Sequence, residues 1–259
     1  MKKVWIPYLG ALALTIAACG PKVTNNNSSP APETPTPPAV EASVKMAGMD
    51  QKIPMDPSVR MGKLSNGLTY YIQNNGKPED KVELRLAINA GSIVEDDDQQ
   101  GLAHMMEHMN FNGTTHFQKN DLIDYLQGIG VKFGADLNAY TSFDETVYIL
   151  PIPSDDPEKL DKGFMILSDW AGGALLETEA INDERGVILE ESRTGKGAND
   201  RMNKITFPVL FANSRYAERL PIGKDEIIQN FNPDAIRRFQ KDWYRPDLMA
   251  VIAFGDVDV

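Results

Sequence analysis

Residues 104–108 read His-Met-Met-Glu-His and are flanked by Leu102, Ala103, Met109 and Phe111. With Met105 and Met106 inside the pentapeptide, the segment is apolar nearly all round, which predicts a buried helix. Yet it carries two imidazoles and a carboxylate, and burying such groups unpartnered costs on the order of several kcal/mol. Whatever this chain folds into must bring compensating groups or a cation to that helix. The competing reading is two histidines and a glutamate on a solvated surface, and the apolar surroundings argue against it. Residues four apart on a helix stack on one face, about 6 Å apart along the axis. His104 and His108 can therefore reach one metal ion at roughly 2.0–2.1 Å. Glu107, three residues after His104, projects toward the same side, where it could act on a water at the metal.

The order H-x-x-E-H is a zinc-hydrolase signature, the reverse of the commoner H-E-x-x-H. A catalytic zinc usually has three protein ligands and one open position. The single cysteine, Cys19, rules out a disulfide within the chain and a thiolate cluster, so the third ligand must be His, Asp or Glu. His116, the one remaining histidine, follows Asn112-Gly113, which should stop the helix, and reads as a loop residue. A better candidate lies in Glu184-Arg185-Gly186-Val187-Ile188-Leu189-Glu190-Glu191. On a helix, Ile181, Glu184, Ile188 and Glu191 form one stripe, so two carboxylates share the face of two isoleucines. Asp183 and Glu190 fall on another side, toward solvent. An ordinary charged helix is the alternative, and the pattern leaves open which of Glu184 and Glu191 would touch a metal.

The N-terminus reads as an address rather than part of a fold. Lys2 and Lys3 precede an apolar stretch from Val4 to Ala18 that is too short for a comfortable membrane span. It ends Ile16-Ala17-Ala18-Cys19, which resembles a bacterial lipobox. Residues 1–19 are therefore expected to be a lipoprotein signal peptide, with Cys19 lipidated. Gly20 in place of an aspartate after the cysteine favours an outer-membrane anchor facing the periplasm. Residues 20–52 hold Pro21, Pro30, Pro32, Pro35, Pro37 and Pro38 and few large apolar residues, and they read as a disordered tether. The formal net charge of −11 makes nucleic acid a poor partner.

The folded part is expected over 53–259. Asn66-Gly67 between apolar residues predicts a hairpin, with Leu68–Gln73 continuing as a strand. Val82, Leu84, Leu86 and Ile88 alternate along a second strand that ends at Gly91. The acidic run at Asp96–Asp98 suits a helix N-terminus, so the motif helix is expected from about Asp98 to Phe111. Further helices are predicted over Asn120–Gln127, Pro157–Ala171, Glu179–Arg193 and Pro233–Trp243, and strands over Val131–Leu137, Thr146–Leu150 and Leu248–Phe254. Asn138–Thr141 is expected to join two of these strands, and Pro151 and Pro153 to break the chain. The mixture lacks strict alternation, which favours α+β.

These residues resemble the pitrilysin, insulysin and mitochondrial-processing-peptidase family of zinc metallopeptidases. The resemblance lies in His104 to Thr114, Glu184 to Glu191, Gly134 to Ser142 and Trp243 to Pro246, in that order. It implies a mixed, largely antiparallel sheet packed with helices, one half of a two-half clamshell. It implies His104, His108 and Glu191 as ligands of one zinc ion, Glu107 as the general base, and Glu184 as a second essential carboxylate. It implies an extended peptide substrate added as a strand along Leu137–Thr141, with Asn138 and Ala139 as backbone partners. It also implies that the peptidase domain is cut short at its C-terminal end, so that turnover could need a second-half subunit or the second half of a longer chain.

Overall fold

The computed structural model describes residues 52–258, apart from 133 and 135–137. The signal peptide with Cys19, the tether up to residue 51 and Leu137 lie outside the described residues.

A six-stranded mixed sheet organises the fold, in the order β1-β2-β6-β3-β5-β4. β1 (Val59–Lys63) and β2 (Thr69–Asn74) form the hairpin read from Asn66-Gly67. Gly67 sits at a φ of +97°, which a glycine adopts without steric cost. β3 (Lys81–Ile88), β5 (Thr146–Pro153) and β6 (Met249–Gly255) occupy the centre. Only β2 and β6 pair in parallel; β3 runs antiparallel to both its neighbours. β4 (Asn138–Thr141) closes the other edge against β5.

The alternation predicted for β3 places Val82, Leu84, Leu86 and Ile88 in the core, each at 0–1% exposure. Helices α1 (Leu102–Met109) and α3 (Pro157–Gly172) pack against the sheet, and α2 (Asp121–Gly128) lies between them in the chain. α4 (Thr178–Gly195) and α7 (Pro233–Trp243) pack on α1. α5 (Ala198–Leu210) and α6 (Asp225–Asn230) complete the seven helices among the described residues. Local chemistry sets several of these ends. Asp156 and Asn232 accept N–H bonds from Glu158 and Asp234, and Pro157 and Pro233 occupy the first helical turn.

Four expectations need correction. The motif helix begins at Leu102, because Asp96 caps a short 3₁₀ turn over Asp97–Gln99 instead. Pro151 and Pro153 do not break the chain; they lie in β5, opposite Glu83 and Lys81. Their missing N–H groups fall on the side away from β3, outside the described register of β4 on β5, so no ladder bond among the described residues is lost. The described residues of Val131–Leu137 form no strand. Asn138–Thr141 is not a link but the edge strand itself. Neither α5 nor α6 was legible as a helix.

Candidate active site

α1 is pinned at both ends. At its start the orphan N–H groups of Gly101 and Ala103 donate to Glu95 Oε1 at 3.0 and 2.8 Å. Gly101 has a φ of +100°, and a Cβ there would lie 2.7 Å from Ile228 Cδ1, so the turn into the helix demands glycine. Burial pushes the Glu95 carboxyl up to about 8, while those two N–H bonds and the nearby Arg219 pull the other way. At the far end Asn110 and Trp170 exchange bonds: Asn110 Nδ2 donates to the Trp170 carbonyl and Trp170 Nε1 to the Asn110 carbonyl, both at 3.1 Å. Between these ends Leu102, Ala103, Met105, Met106 and Met109 are buried.

His104 and His108 meet edge to face, with ring centroids 4.7 Å apart. Their Nε2 atoms lie 3.6 and 3.7 Å from Glu191 Oε2, which reaches in from α4. Three donors around one ion at about 2.1 Å, arranged tetrahedrally, stand about 3.4 Å from one another. The three residues thus present a His₂Glu donor set whose spacing suits a zinc ion, and they are the group among the described residues that could hold a metal. Burial, with some help from His108, pulls the His104 imidazole down to about 4, so it is neutral at neutral pH as a metal ligand must be. His104 Nδ1, on the far side of the ring, is buried and has no hydrogen-bond partner among the described residues.

The two carboxylates on the α4 stripe have separate positions. Glu184 is buried, and its Oε1 lies 2.8 Å from His108 Nδ1. A proton on Nδ1 donating to Glu184 leaves the Nε2 lone pair for the Glu191 side. Glu184 Oε2 accepts from Asn112 Nδ2 at 2.7 Å. Burial alone would raise the Glu184 carboxyl; the bonds from His108 and Asn112 outweigh it and hold the group below its ordinary value. Burial would likewise lower His108, but the Glu184 bond and the charges of Glu191, Glu184 and Glu107 raise it. Glu191 is more open, with 45% of its side chain exposed.

Glu107 lies on the same side of α1, almost buried, and burial raises its carboxyl. Its Oε2 accepts from Thr141 Oγ1 at 2.6 Å, a contact across 34 positions of the chain. A groove of about 500 Å³ opens over His104, Glu107, His108, Glu184 and Glu191, and Asn138 and Ala139 of β4 form part of its wall. The arrangement offers a metal position, a carboxylate base and a strand edge on one groove.

The other predicted residues fall outside it. His116 turns to α3, where Nδ1 meets Asp169 Oδ1 at 2.7 Å, in keeping with a loop role. Sequence reading missed Asn112, taken only as a helix stop, and Thr141, whose bond to Glu107 no local spacing signals. Along β4, Ser142 N donates to Glu145 O across the turn at 2.8 Å, so alternate residues Tyr140 and Asn138 turn their backbone toward β5. The backbone groups of Ala139 and Thr141 face the other side instead, an edge that is unpaired among the described residues. Asn138 reaches that edge through its side chain: Oδ1 accepts from Ala139 N at 2.9 Å.

The sequence profile of the family described as Insulinase (Peptidase family M16) matches residues 70–217. The chain is 41% identical over 209 residues to the probable zinc protease PqqL of Haemophilus influenzae, an alignment covering 81% of this chain and 23% of that protein. Among solved structures, the first half of the periplasmic protease PqqL from Escherichia coli superposes with a TM-score of 0.76 at 40% identity, over 80% of this chain and 44% of that one. Pitrilysin superposes at 0.66 with 21% identity, over 78% of this chain and 21% of that one, and so shares the fold. The chain spans about a quarter of the length of the curated relative, at 23%.

Proposed function

Because the chain belongs to the insulinase family of peptidases, family M16, we propose that it binds one zinc ion and hydrolyses extended peptides or unfolded protein segments. The observation that carries this reading is the convergence of His104, His108 and Glu191 beside Glu107, on a groove walled by a free strand edge. His104 and His108 through Nε2, and Glu191 through Oε2, would hold the ion. When bound, zinc supplies a Lewis acid that lowers the pKa of water and polarises a carbonyl. Glu107 takes the proton of the attacking water and hands it to the leaving amine. Glu184 orients His108 through Nδ1, with Asn112 holding the other carboxylate oxygen. A peptide adding to the edge of β4 would gain main-chain bonds that depend little on its sequence. The test is Glu107→Gln in the zinc-loaded protein: metal content should persist while peptide cleavage disappears. Cleavage at the wild-type rate would sink the mechanism.

A second reading has a specific motive. The relatives extend well beyond the region matched here, so groups outside these 259 residues could be needed for turnover. This half would then bind zinc and peptide, and cleave only when mixed with a second-half protein. Cleavage by the purified chain alone would reject that reading.

The protein's place would be the bacterial cell envelope, lipid-anchored through Cys19 and facing the periplasm. Two observations support this: the lipobox-like N-terminus and the likeness to PqqL of Escherichia coli, a periplasmic protease. Replacing Cys19 with serine should release the protein from the membrane fraction. Continued sedimentation with membranes would contradict the anchor.

A further inference from the structure

We propose that Thr141 is the positioning residue of the base, and that it ties Glu107 to the strand edge where substrate binds. The inference rests on the peptidase reading above and deepens it. Thr141 is the last residue of β4, the edge strand. Its side chain, half-buried on the α1 side, donates to Glu107 Oε2 at 2.6 Å. A carboxylate on a helix can otherwise rotate about its terminal torsion, which is broad. With Oε2 fixed, Oε1 is the oxygen that takes the proton.

The same residue carries the edge. The register of β4 on β5 sends the backbone N–H and C=O of Ala139 and Thr141 outward. A substrate strand adding there bonds to Thr141 directly and to Ala139, whose N–H is held meanwhile by Asn138 Oδ1. Asn138 must let go as the strand arrives. Main-chain bonds to Thr141 then stiffen the residue whose hydroxyl aims the base. β4 is short and paired on one side only among the described residues, so it has slack to lose. Binding and base alignment become one event, and the gain falls on the chemical step rather than on affinity.

The experiment compares Thr141→Val, which keeps the shape and removes the hydroxyl, with Thr141→Ser, which keeps the hydroxyl. On the zinc-loaded chain with a quenched fluorescent peptide, Thr141→Val should lower kcat about ten- to a hundredfold with KM changed by less than about threefold. Thr141→Ser should restore kcat to within about threefold of wild type. Zinc affinity by chelator competition should be unchanged in both, since Thr141 touches no ligand. A wild-type kcat in Thr141→Val, an equal loss in Thr141→Ser, or a loss confined to KM would overturn the proposal. A readout without turnover is a double-mutant cycle of Thr141→Val and Glu107→Ala in urea unfolding of the metal-free chain. Non-additive midpoint shifts are expected, and additive ones would overturn the inference whatever the activity. If the wild-type chain cleaves nothing, alone or mixed with a second-half protein, the peptidase reading fails by itself, and the cycle alone decides whether Thr141 holds Glu107.

Discussion

α1 and α5 are both helices with apolar residues at helical spacing, and they have opposite fates. In α1 the apolar residues are buried, and glutamate and asparagine bonds hold its two ends. In α5 no residue is buried; Met202, Ile205, Val209 and Leu210 lie exposed, and Pro208 sits inside the helix. The difference teaches what burial does to chemistry. A polar side chain on α5 would be solvated at little cost. On α1 a polar side chain facing inward needs a partner: His108 has Glu184 and Glu107 has Thr141, while His104 Nδ1 has none among the described residues. The rigidity that places His104 and His108 one turn apart comes from that packing rather than from helix propensity.

Substitutions can break the contrast. Met106→Ala should cost about 2–5 kcal/mol in urea unfolding, because α1 cannot collapse around the cavity. Ile205→Ala on α5 should change stability by less than about 0.5 kcal/mol. Similar losses at the two sites would mean that α1 is no more rigid than α5.

Next in size are the groups that orient the metal side. Glu184→Gln or Asn112→Leu should weaken zinc affinity about ten- to a hundredfold in chelator competition, with the fold retained by circular dichroism. Unchanged affinity in both would show that the Asn112–Glu184–His108 chain does not orient the ligand.

Glu95 gives a pH signature. Its carboxyl titrates at about 8 in the folded protein, against an ordinary value of 4.5. Between those values the folded state holds a proton that the unfolded chain has lost. The group's stabilisation is therefore complete below pH 4.5 and declines as pH rises toward 8. The slope from this one group is at most about 1.4 kcal/mol per pH unit. Glu95→Gln keeps an oxygen for the Gly101 and Ala103 N–H groups and cannot ionise. Denaturation between pH 5 and 8 should be flatter in that variant; an equal slope would place the titration elsewhere. A small effect is also expected at the exposed Lys196–Asp225 ion pair, where Lys196→Ala should cost less than about 1 kcal/mol. A larger loss by the same urea assay would show that the α4–α5 junction is more tightly held than its exposure suggests.

The site and the sheet were legible to different depths. The alternation of β3, the Asn-Gly hairpin and the proline-capped α3 and α7 are local signals, and each appears where its chemistry places it. β5 ran past its prolines because their missing N–H groups face away from β3, where no described residue pairs with them. α5 was not read as a helix because Pro208 interrupts its apolar spacing. Asn112 and Thr141 stood in stretches already singled out, but their roles depend on partners 72 and 34 positions away.

By itself, the sequence determined that His104, Glu107 and His108 share one helix side, and that Glu184 and Glu191 share one stripe. Helical geometry alone settles both, since it depends only on spacing. Tertiary structure decided which carboxylate turns toward which nitrogen. Glu184 meets His108 Nδ1 and Glu191 faces the two Nε2 atoms because α4 is held at one rotation against α1. Arg185 ties α4 to α6, donating to the carbonyls of Ile228 and Phe231 at 2.6 and 2.7 Å while stacking 3.7 Å over the Phe231 ring. The angle of one helix about its own axis is set by contacts with distant segments, and spacing within either helix carries no record of it.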